Sequence, residues 1–329
     1  MRPDLGRRGY LVLILFFVMG LPLQSTNAQD LRPLISTCGG TSEAHLRWCQ
    51  ETALAVQAAQ GALGLAASGG TDLPGSASTL GWRMKGSPRI ALSIRGSLTR
   101  ASAPALKSSG TSPHGETTLT LPSIHISGTV GLFDGLSLGP TLGGFGSIDL
   151  TVSTQWIAPP KDRGFQENLT GWGIGTRIGI LRESFTLPGI SLSAFHRSLG
   201  SVDLWEVGEG DPAAAGFDLR VSSLRAVAGK DIWGLGFFGG AGWDRYTGDA
   251  SLVVTDPEGL GPNSTGAGEL RSNRHLFFLG GSMTFLTLQV STEVGWADGF
   301  TPDLPTSFLG GFDPSSRSIF GALAFRLTF

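Results

Sequence analysis

The chain has 329 residues, a formal net charge of −2 and only 15% charged residues. It has no basic excess that would indicate a nucleic-acid partner and no acidic run that would form a solvating tail. Glycine is abundant at 50 residues but lacks the three-residue period of collagen. Such low charge with so much glycine is unusual for a soluble enzyme, and the length fits one large domain or two small ones.

Residues 1–28 have the pattern of an export signal. Several arginines precede an apolar stretch at 11–23, and small residues then lead up to Ala28. The stretch is shorter than the roughly 20 residues that a membrane-spanning helix requires. We therefore expect cleavage before Gln29 and export of the remainder, with a retained membrane anchor as the alternative.

Two cysteines, Cys38 and Cys49, follow this signal. In an exported protein the pair predicts a disulfide that closes a small loop. His45 lies one helical turn before Cys49, so a metal-binding pair is the alternative. No further cysteine or histidine is near in sequence, and we predict neither a metal nor a cofactor.

A helical pattern runs from Thr41 to about Ala67. Thr41 or Ser42 can cap the helix, apolar residues recur at three- and four-residue spacing, and alanine supplies high helix propensity. A stretch rich in Gly, Ser and Pro follows at about 69–87. Residues 29–87 are therefore predicted to form a helical segment and linker, whose place relative to the rest of the chain the sequence leaves open.

Beyond the linker the hydrophobic period changes to two. Ile90, Leu92 and Ile94, for example, alternate with Ser93 and Arg95. The pattern predicts ten strands, at about 88–101, 118–132, 138–156, 168–182, 188–200, 216–229, 232–247, 272–284, 286–298 and 316–329.

The predicted connections alternate in length, with long links after the odd-numbered strands and short links after the even-numbered strands. This asymmetry is typical of outer-membrane β-barrels, which have short periplasmic turns and long extracellular loops. A strand of about 11 residues tilted near 45° also spans the roughly 25 Å apolar band of such a barrel. A further stretch at 251–255 leaves twelve strands possible.

The two faces of the strands favour a membrane barrel over a soluble β-sandwich. One face is apolar, and the other carries Gly, Ser, Thr and scattered charges, which suits a crowded polar lumen. Tryptophans tend to fall near strand ends, as interfacial girdles require. We expect an all-β fold, an antiparallel transmembrane β-barrel of about 10–12 strands at 88–329, preceded by the short α-helical segment, which lies either in the periplasm or in the lumen as a plug.

The C-terminal residues support this expectation. Phe325, Leu327 and Phe329 alternate up to a terminal Phe, which resembles the C-terminal signature of Gram-negative outer-membrane β-barrel proteins. The resemblance implies insertion into the bacterial outer membrane, with the barrel-assembly machinery and outer-membrane lipids as partners. The helix before the barrel also resembles, more loosely, the plug of transporters for hydrophobic compounds, whose barrels have about fourteen strands.

If the apolar face of every strand contacts lipid, nine ionisable side chains point into the lumen. They are predicted to form ion pairs that fill the interior or to line a small pore. Glycines at 171, 173, 175 and 179 would leave space for a helix, a neighbouring aromatic ring or a solute. The nine candidates are Arg95, His125, Asp149, Arg177, Arg197, Asp218, Arg220, Glu293 and Arg326.

One pair of residues raises the question of catalysis. His196 and Ser198 share an outward face of one strand, which resembles the His-x-Ser-Asn motif of outer-membrane phospholipases and lipid A deacylases. Leu199 stands where that motif has Asn, and no third group to orient the histidine is identifiable. We assign no catalytic residue and do not expect an enzyme.

The leading hypothesis for function is passive passage of an unidentified small solute, hydrophobic ones included, through a porin-like barrel. It depends mainly on fold-level analogy. The alternatives are a structural or adhesive surface barrel without transport and, third, an outer-membrane lipid esterase.

Overall fold

The computed structural model describes residues 31–36, 38, 43–81, 87–105, 115–137, 143–205, 213–255, 263–302 and 312–329. The predicted export signal lies outside these residues. Within the described part of the chain, no helix combines the length and apolarity of a membrane span.

Ten antiparallel strands close into a barrel, which confirms the predicted fold. The sheet order follows the sequence, and β1 pairs with β10 to close the ring, with Ile94 opposite Phe325 and Leu92 opposite Leu327. Closure removes the free sheet edge that lipid cannot hydrogen-bond. The strands are β1 (Ile90–Pro104), β2 (Glu116–Phe133), β3 (Ser147–Ile157), β4 (Leu169–Leu181), β5 (Gly189–Leu204), β6 (Ala213–Ile232), β7 (Leu235–Val254), β8 (Ser264–Phe285), β9 (Leu288–Ala297) and β10 (Ser318–Thr328).

Three details of the predicted strands need correction. β8 begins at Ser264 and not near 272. β3 is Ser147–Ile157, and before it Phe145 bridges Leu136; residues 138–142 of the predicted strand lie outside the described residues. The stretch at 251–255 adds no further strand pair, since β7 continues through it to Val254.

The outer face of the barrel is apolar and exposed. Leu92, Ile126 and Val152 are each 53% exposed on neighbouring strands. At the end that carries the long links, Trp156, Trp172 and Trp296 are exposed, as expected for side chains at a membrane interface. We take this end as extracellular, since long loops of such barrels lie there.

The strands differ in length around the wall. β3 and β10 have 11 residues, enough for the apolar band, whereas β8 has 22 residues. A tilted strand of that length rises about 50 Å, twice the height of the band. β6, β7 and β8 therefore extend beyond the membrane at the extracellular end.

The N-terminal segment lies inside the barrel. Helix α1 (Arg32–Ser36) contacts the extracellular ends of β7 and β8, and helix α2 (Glu43–Ser68) descends from there along the inner wall. The linker at 69–81 continues to the opposite end, where β1 begins. Of the two places that the sequence allows, the described segment occupies the lumen, and it runs from the extracellular end of the barrel toward the opposite end. We call α1, α2 and this linker the plug.

The alanine-rich sequence of α2 suits so narrow a space. Its small side chains pack against inward Phe217, Leu219 and Val221 of β6 in one apolar core. Gly64 passes directly against Tyr246, whose ring would lie 2.7 Å from a Cβ at that position. The cost of a helical glycine, about 1 kcal/mol relative to alanine, is thus offset by a close approach that no larger residue permits.

Candidate functional site

Every strand directs one ionisable side chain into the lumen at the depth of the lower plug. These ten residues, which we call the lumen belt, comprise six arginines, three acids and one histidine. In strand order they are Arg95, His125, Asp149, Arg177, Arg197, Arg225, Asp244, Arg274, Glu293 and Arg326.

The structure places seven of the nine predicted lumen residues in this belt. Asp218 and Arg220 are the exceptions, since both are exposed on the outer face of β6. The prediction for these two was wrong because it assigned Leu219 and Val221 to lipid. At this height β6 has left the apolar band of the membrane, and its apolar residues face α2 while its polar residues face outward.

Three belt residues were missed by sequence reasoning: Arg225, Asp244 and Arg274. All three are buried on β6, β7 and β8, the strands whose apolar residues change sides along their length. A signal was present on β6, where outward Leu224 and Ala226 flank inward Arg225. The alternation in this lower half of β6, considered by itself, predicts that Arg225 faces the lumen.

The lower plug bonds to nine of the ten belt residues, in an order that follows the plug from Ala66 to Leu80. Four wall arginines donate to plug carbonyl oxygens, Arg197 donates to the Asp72 carboxylate, and wall acids accept from plug N–H and O–H groups. These distances are 3.2 Å for His125 to Ala66 O, 2.9 Å for Arg225 to Ser68 O, 2.6 Å for Ser68 Oγ to Asp244, 2.9 Å for Arg95 to Thr71 O, 3.1 Å for Thr71 N to Glu293, 2.6 Å for Arg197 to Asp72, 2.9 Å for Arg326 to Pro74 O, 2.9 Å for Arg177 to Ser76 O and 2.8 Å for Leu80 N to Asp149.

One ion pair joins the plug to the wall directly. Asp72 accepts from Arg197 Nη2 at 2.6 Å through one carboxylate oxygen and from Ser193 Oγ at 2.6 Å through the other. Both charged side chains are 4% exposed. Such charge-assisted bonds are about twice as strong as neutral ones, so Asp72 is the strongest single attachment of the linker.

A second buried ion pair lies within the wall at the end of α2. Arg225 donates two parallel bonds to Asp244, at 2.6 and 3.0 Å, and neither side chain is exposed. Asp244 also accepts from Ser68 Oγ and, at 3.1 Å, from the Tyr246 hydroxyl. Because Arg225 donates to the Ser68 carbonyl, its charge complements the negative end of the helix dipole.

The inward glycines of β4 provide room for a neighbouring ring, one of the three occupants that the sequence allows. The Phe195 ring lies over Gly175, where a Cβ would approach it to 2.0 Å. The guanidinium of Arg197 lies over the same ring, 4.1 Å from the ring centre. The glycines thus position Phe195, which in turn orients Arg197 toward Asp72.

Little space remains beside the plug at the height of Asp72. A cavity of about 20 Å³ lies between Asp72, Arg95, His125 and Arg197. That is room for about one water molecule. Within the described residues, the belt and the plug fill the lumen around Asp72, whereas a larger cavity of about 660 Å³ lies toward the periplasmic end, between Ser78, Leu80, Arg182 and Arg326.

The predicted disulfide is present. Cys38 and Cys49 are bonded, with 6.1 Å between their Cα atoms, and connect α1 to the first turns of α2 at the extracellular end. His45 lies close to both sulfur atoms, but the two cysteines are joined to each other.

Replacing both cysteines by serine is expected to loosen the extracellular end of the plug and leave the belt intact. A crosslink over a loop this short restricts the open chain by about 3 kcal/mol, and without it α1 and α2 are joined only through the intervening backbone. Hydrogen exchange should speed up in residues 31–50 but not in 66–80. Unchanged exchange in 31–50 would show that packing against β7 and β8 suffices.

The other sequence motifs lie on the outer face. Phe325, Leu327 and Phe329 are exposed in alternation on β10. His196 is exposed on β5, and its Nδ1 lies 3.1 Å from Ser222 Oγ of β6, not from Ser198. In the described residues no carboxylate hydrogen-bonds to this histidine, so the geometry of the resembled esterase motif is not reproduced.

A closed antiparallel barrel with an apolar outer band and a polar lumen is decisive for the class of protein. This is an outer-membrane β-barrel. No protein-family model matches the chain, and no curated protein matches it in sequence.

Among solved structures, the barrel is similar to other outer-membrane barrels. The outer-membrane protease OmpT of Escherichia coli is 10% identical, with 74% of this chain and 96% of that one covered and a TM-score of 0.35. The translocator domain of the autotransporter NalP of Neisseria meningitidis is 11% identical, covering 89% and 99%, with a TM-score of 0.35. The toluene transporter TodX of Pseudomonas putida is 9% identical, covering 73% and 88%, with a TM-score of 0.30. These matches assign no activity.

Proposed function

We propose that the protein is a solute channel of the outer membrane that its own plug closes at rest. The observation that carries the proposal is the series of bonds from Ala66 to Leu80, which attaches the lower plug to nine of the ten belt residues. Four of these nine bonds run from an arginine to a backbone carbonyl oxygen. Water can replace a carbonyl acceptor at little net cost, since a typical hydrogen bond contributes only about 1 kcal/mol.

The belt favours a small anionic solute over a hydrophobic one. Six arginines face three acids across it, and several guanidinium nitrogens have no hydrogen-bond partner among the described residues, Nε of Arg95, Arg197 and Arg326 included. Guanidinium groups bind carboxylate and phosphate well. A hydrophobic solute would instead leave these donors unpaired, at about 1–3 kcal/mol each.

A surface barrel without transport is the second candidate. The extension of β6, β7 and β8 beyond the membrane favours it, since 20 to 22 residues per strand exceed what spanning requires. In that case the plug would be a permanent part of the core and conductance would be absent in every variant.

Single-channel recording on refolded full-length protein tests the proposal through Asp72→Asn. Removing the charge weakens the ion pair between Asp72 and Arg197, and a charge-assisted bond is worth roughly 1.5–3 kcal/mol. We expect rare or no openings in the native protein and at least about tenfold more frequent openings in the variant.

Asp203→Asn is the matched control, because Asp203 is exposed on the outer face of β5. It should behave like the native protein. Equal behaviour of the two variants would mean that Asp72 does not govern opening, and silence in both would favour the surface barrel.

A further inference from the structure

A groove lies on the lipid-facing side of the wall across β5, β6 and β7. Its floor consists of small outward residues, Ala194, Ala226 and Ala241, and its rim of Leu192, Trp243 and Phe277. The cavity measures about 360 Å³ and is lined almost entirely by apolar atoms. This size falls in the range of small-molecule sites, about 300–1000 Å³. We call it the outer groove.

Directly on the extracellular side of the groove, the outward residues become basic. Ser222 of β6 pairs with Arg245 of β7, and in the next row Arg220 pairs with Thr247, which pairs with Arg271 of β8. Arg245 is therefore diagonal to both other arginines. Diagonal neighbours in a sheet are roughly 7–8 Å apart, which lets three long guanidinium side chains converge on one anion. We call Arg220, Arg245 and Arg271 the arginine triad.

The change from groove to triad coincides with the membrane boundary. Trp243 on the groove rim and Trp296 two strands away mark the interface on this side, and the Phe277 ring packs 5.8 Å from that of Trp296. The groove thus lies at the depth of acyl chains and the triad at the depth of headgroups. A soluble anion would use the triad alone and leave the groove unexplained.

The acidic neighbours leave the triad able to bind an anion. Arg271 is bonded to Glu269 on its own strand, at 2.7 and 2.5 Å, and Arg220 lies 4.0 Å from Asp249. These pairs are exposed, and exposed pairs are weak. Arg245 has no ion pair among the described residues, and its position between the other two makes it the central ligand.

We propose that the outer groove and the arginine triad bind one phosphate-bearing, acylated lipid of the outer leaflet. An acyl chain occupies the groove, and the phosphate lies among Arg220, Arg245 and Arg271. Guanidinium groups match phosphate oxygens in geometry and charge. The site lies outside the lumen, so it is independent of whether the channel opens.

The test titrates refolded full-length protein in a neutral detergent with diphosphorylated, hexa-acylated lipid A and counts bound lipids by native mass spectrometry. We expect one tight site, roughly tenfold weakened by Arg245→Gln because a charge-assisted bond is lost. Arg100→Gln is the matched control, since Arg100 is exposed near the extracellular end of β1, on another part of the wall. Equal affinity of the two variants would overturn the proposal.

A second pair of variants tests the groove itself. Ala226→Phe fills the floor, whereas Ala228→Phe adds the same ring at the next outward position of β6, outside the groove. Only the first should weaken binding. Heat-modifiable migration on gels verifies that each barrel is closed. Binding of a phosphate-free diacylglycerol as tight as that of lipid A, or equal lipid A affinity of Ala226→Phe and Ala228→Phe, would also refute a lipid site.

Discussion

Deletion of residues 29–81 is expected to turn a silent barrel into an anion-selective pore. The deletion removes every plug group that bonds to the lumen belt, from Ala66 to Leu80. The wall that remains directs six arginines and one histidine against three acids into the lumen. A surplus of positive charge in a narrow, low-dielectric passage concentrates anions by about tenfold or more. Recording under a salt gradient should give a reversal potential of the sign that anion flow produces.

Two control variants distinguish the contribution of the linker to closing the channel from that of α2. Deletion of residues 29–60 removes α1 and most of α2 but keeps the plug groups that bond to the belt, so this variant should stay closed. A disulfide in Thr79→Cys/Ser147→Cys, at positions whose hydroxyl groups lie 2.6 Å apart, should lock the linker to the wall and abolish any openings until a reductant is added. Steps in the shorter deletion would locate the seal in α2 and contradict the role given to the belt.

The fold was predictable because the membrane imposes one rule on every strand. Within the apolar band each outward side chain must be apolar, so Leu92 and Ile94 alternate with Ser93 and Arg95 in plain view. All ten strands of the barrel follow this rule over at least part of their length. The number of strands could therefore be predicted without knowing which residues pair.

The site residues that the sequence did not predict correctly lie on strands that extend beyond the apolar band, where this alternation rule no longer applies. On β6, Leu219 faces α2 and Leu224 faces lipid, so both faces carry apolar residues and only the height of the membrane distinguishes them. Sequence alone gives no height, and Asp218 and Arg220 were therefore placed inside and Arg225 was overlooked. The position of α2 was open for a related reason, since an alanine-rich helix without a strongly apolar stripe suits a narrow lumen as well as a periplasmic surface.

The strongest single effect on stability is expected at Asp244. This carboxylate is fully buried and accepts bonds from Arg225, Ser68 and Tyr246. Asp244→Ala would leave the Arg225 charge buried without a counter-charge, and removing one partner of a buried pair costs about 3–5 kcal/mol. Unfolding of the refolded protein in urea, followed by its heat-modifiable band, should show the loss as a lower midpoint.

Two further variants identify the cause. Asp249→Ala, on the same strand but in an exposed pair 4.0 Å from Arg220, should cost less than about 1 kcal/mol. The double variant Arg225→Met/Asp244→Leu removes both charges and should recover most of the loss, because apolar residues of similar size often replace a buried pair without penalty. If the double variant were as unstable as Asp244→Ala, the bonds from Asp244 to Ser68 and Tyr246, and not the unpaired Arg225 charge, would account for the effect.

Conductance distinguishes the role of this ion pair in stability from its role in closing the channel, because Asp244 also bonds to Ser68 of the plug. We expect a double variant that is stable but opens more often than the native protein. That result would show that the belt closes the channel through contacts distinct from those that stabilise the barrel.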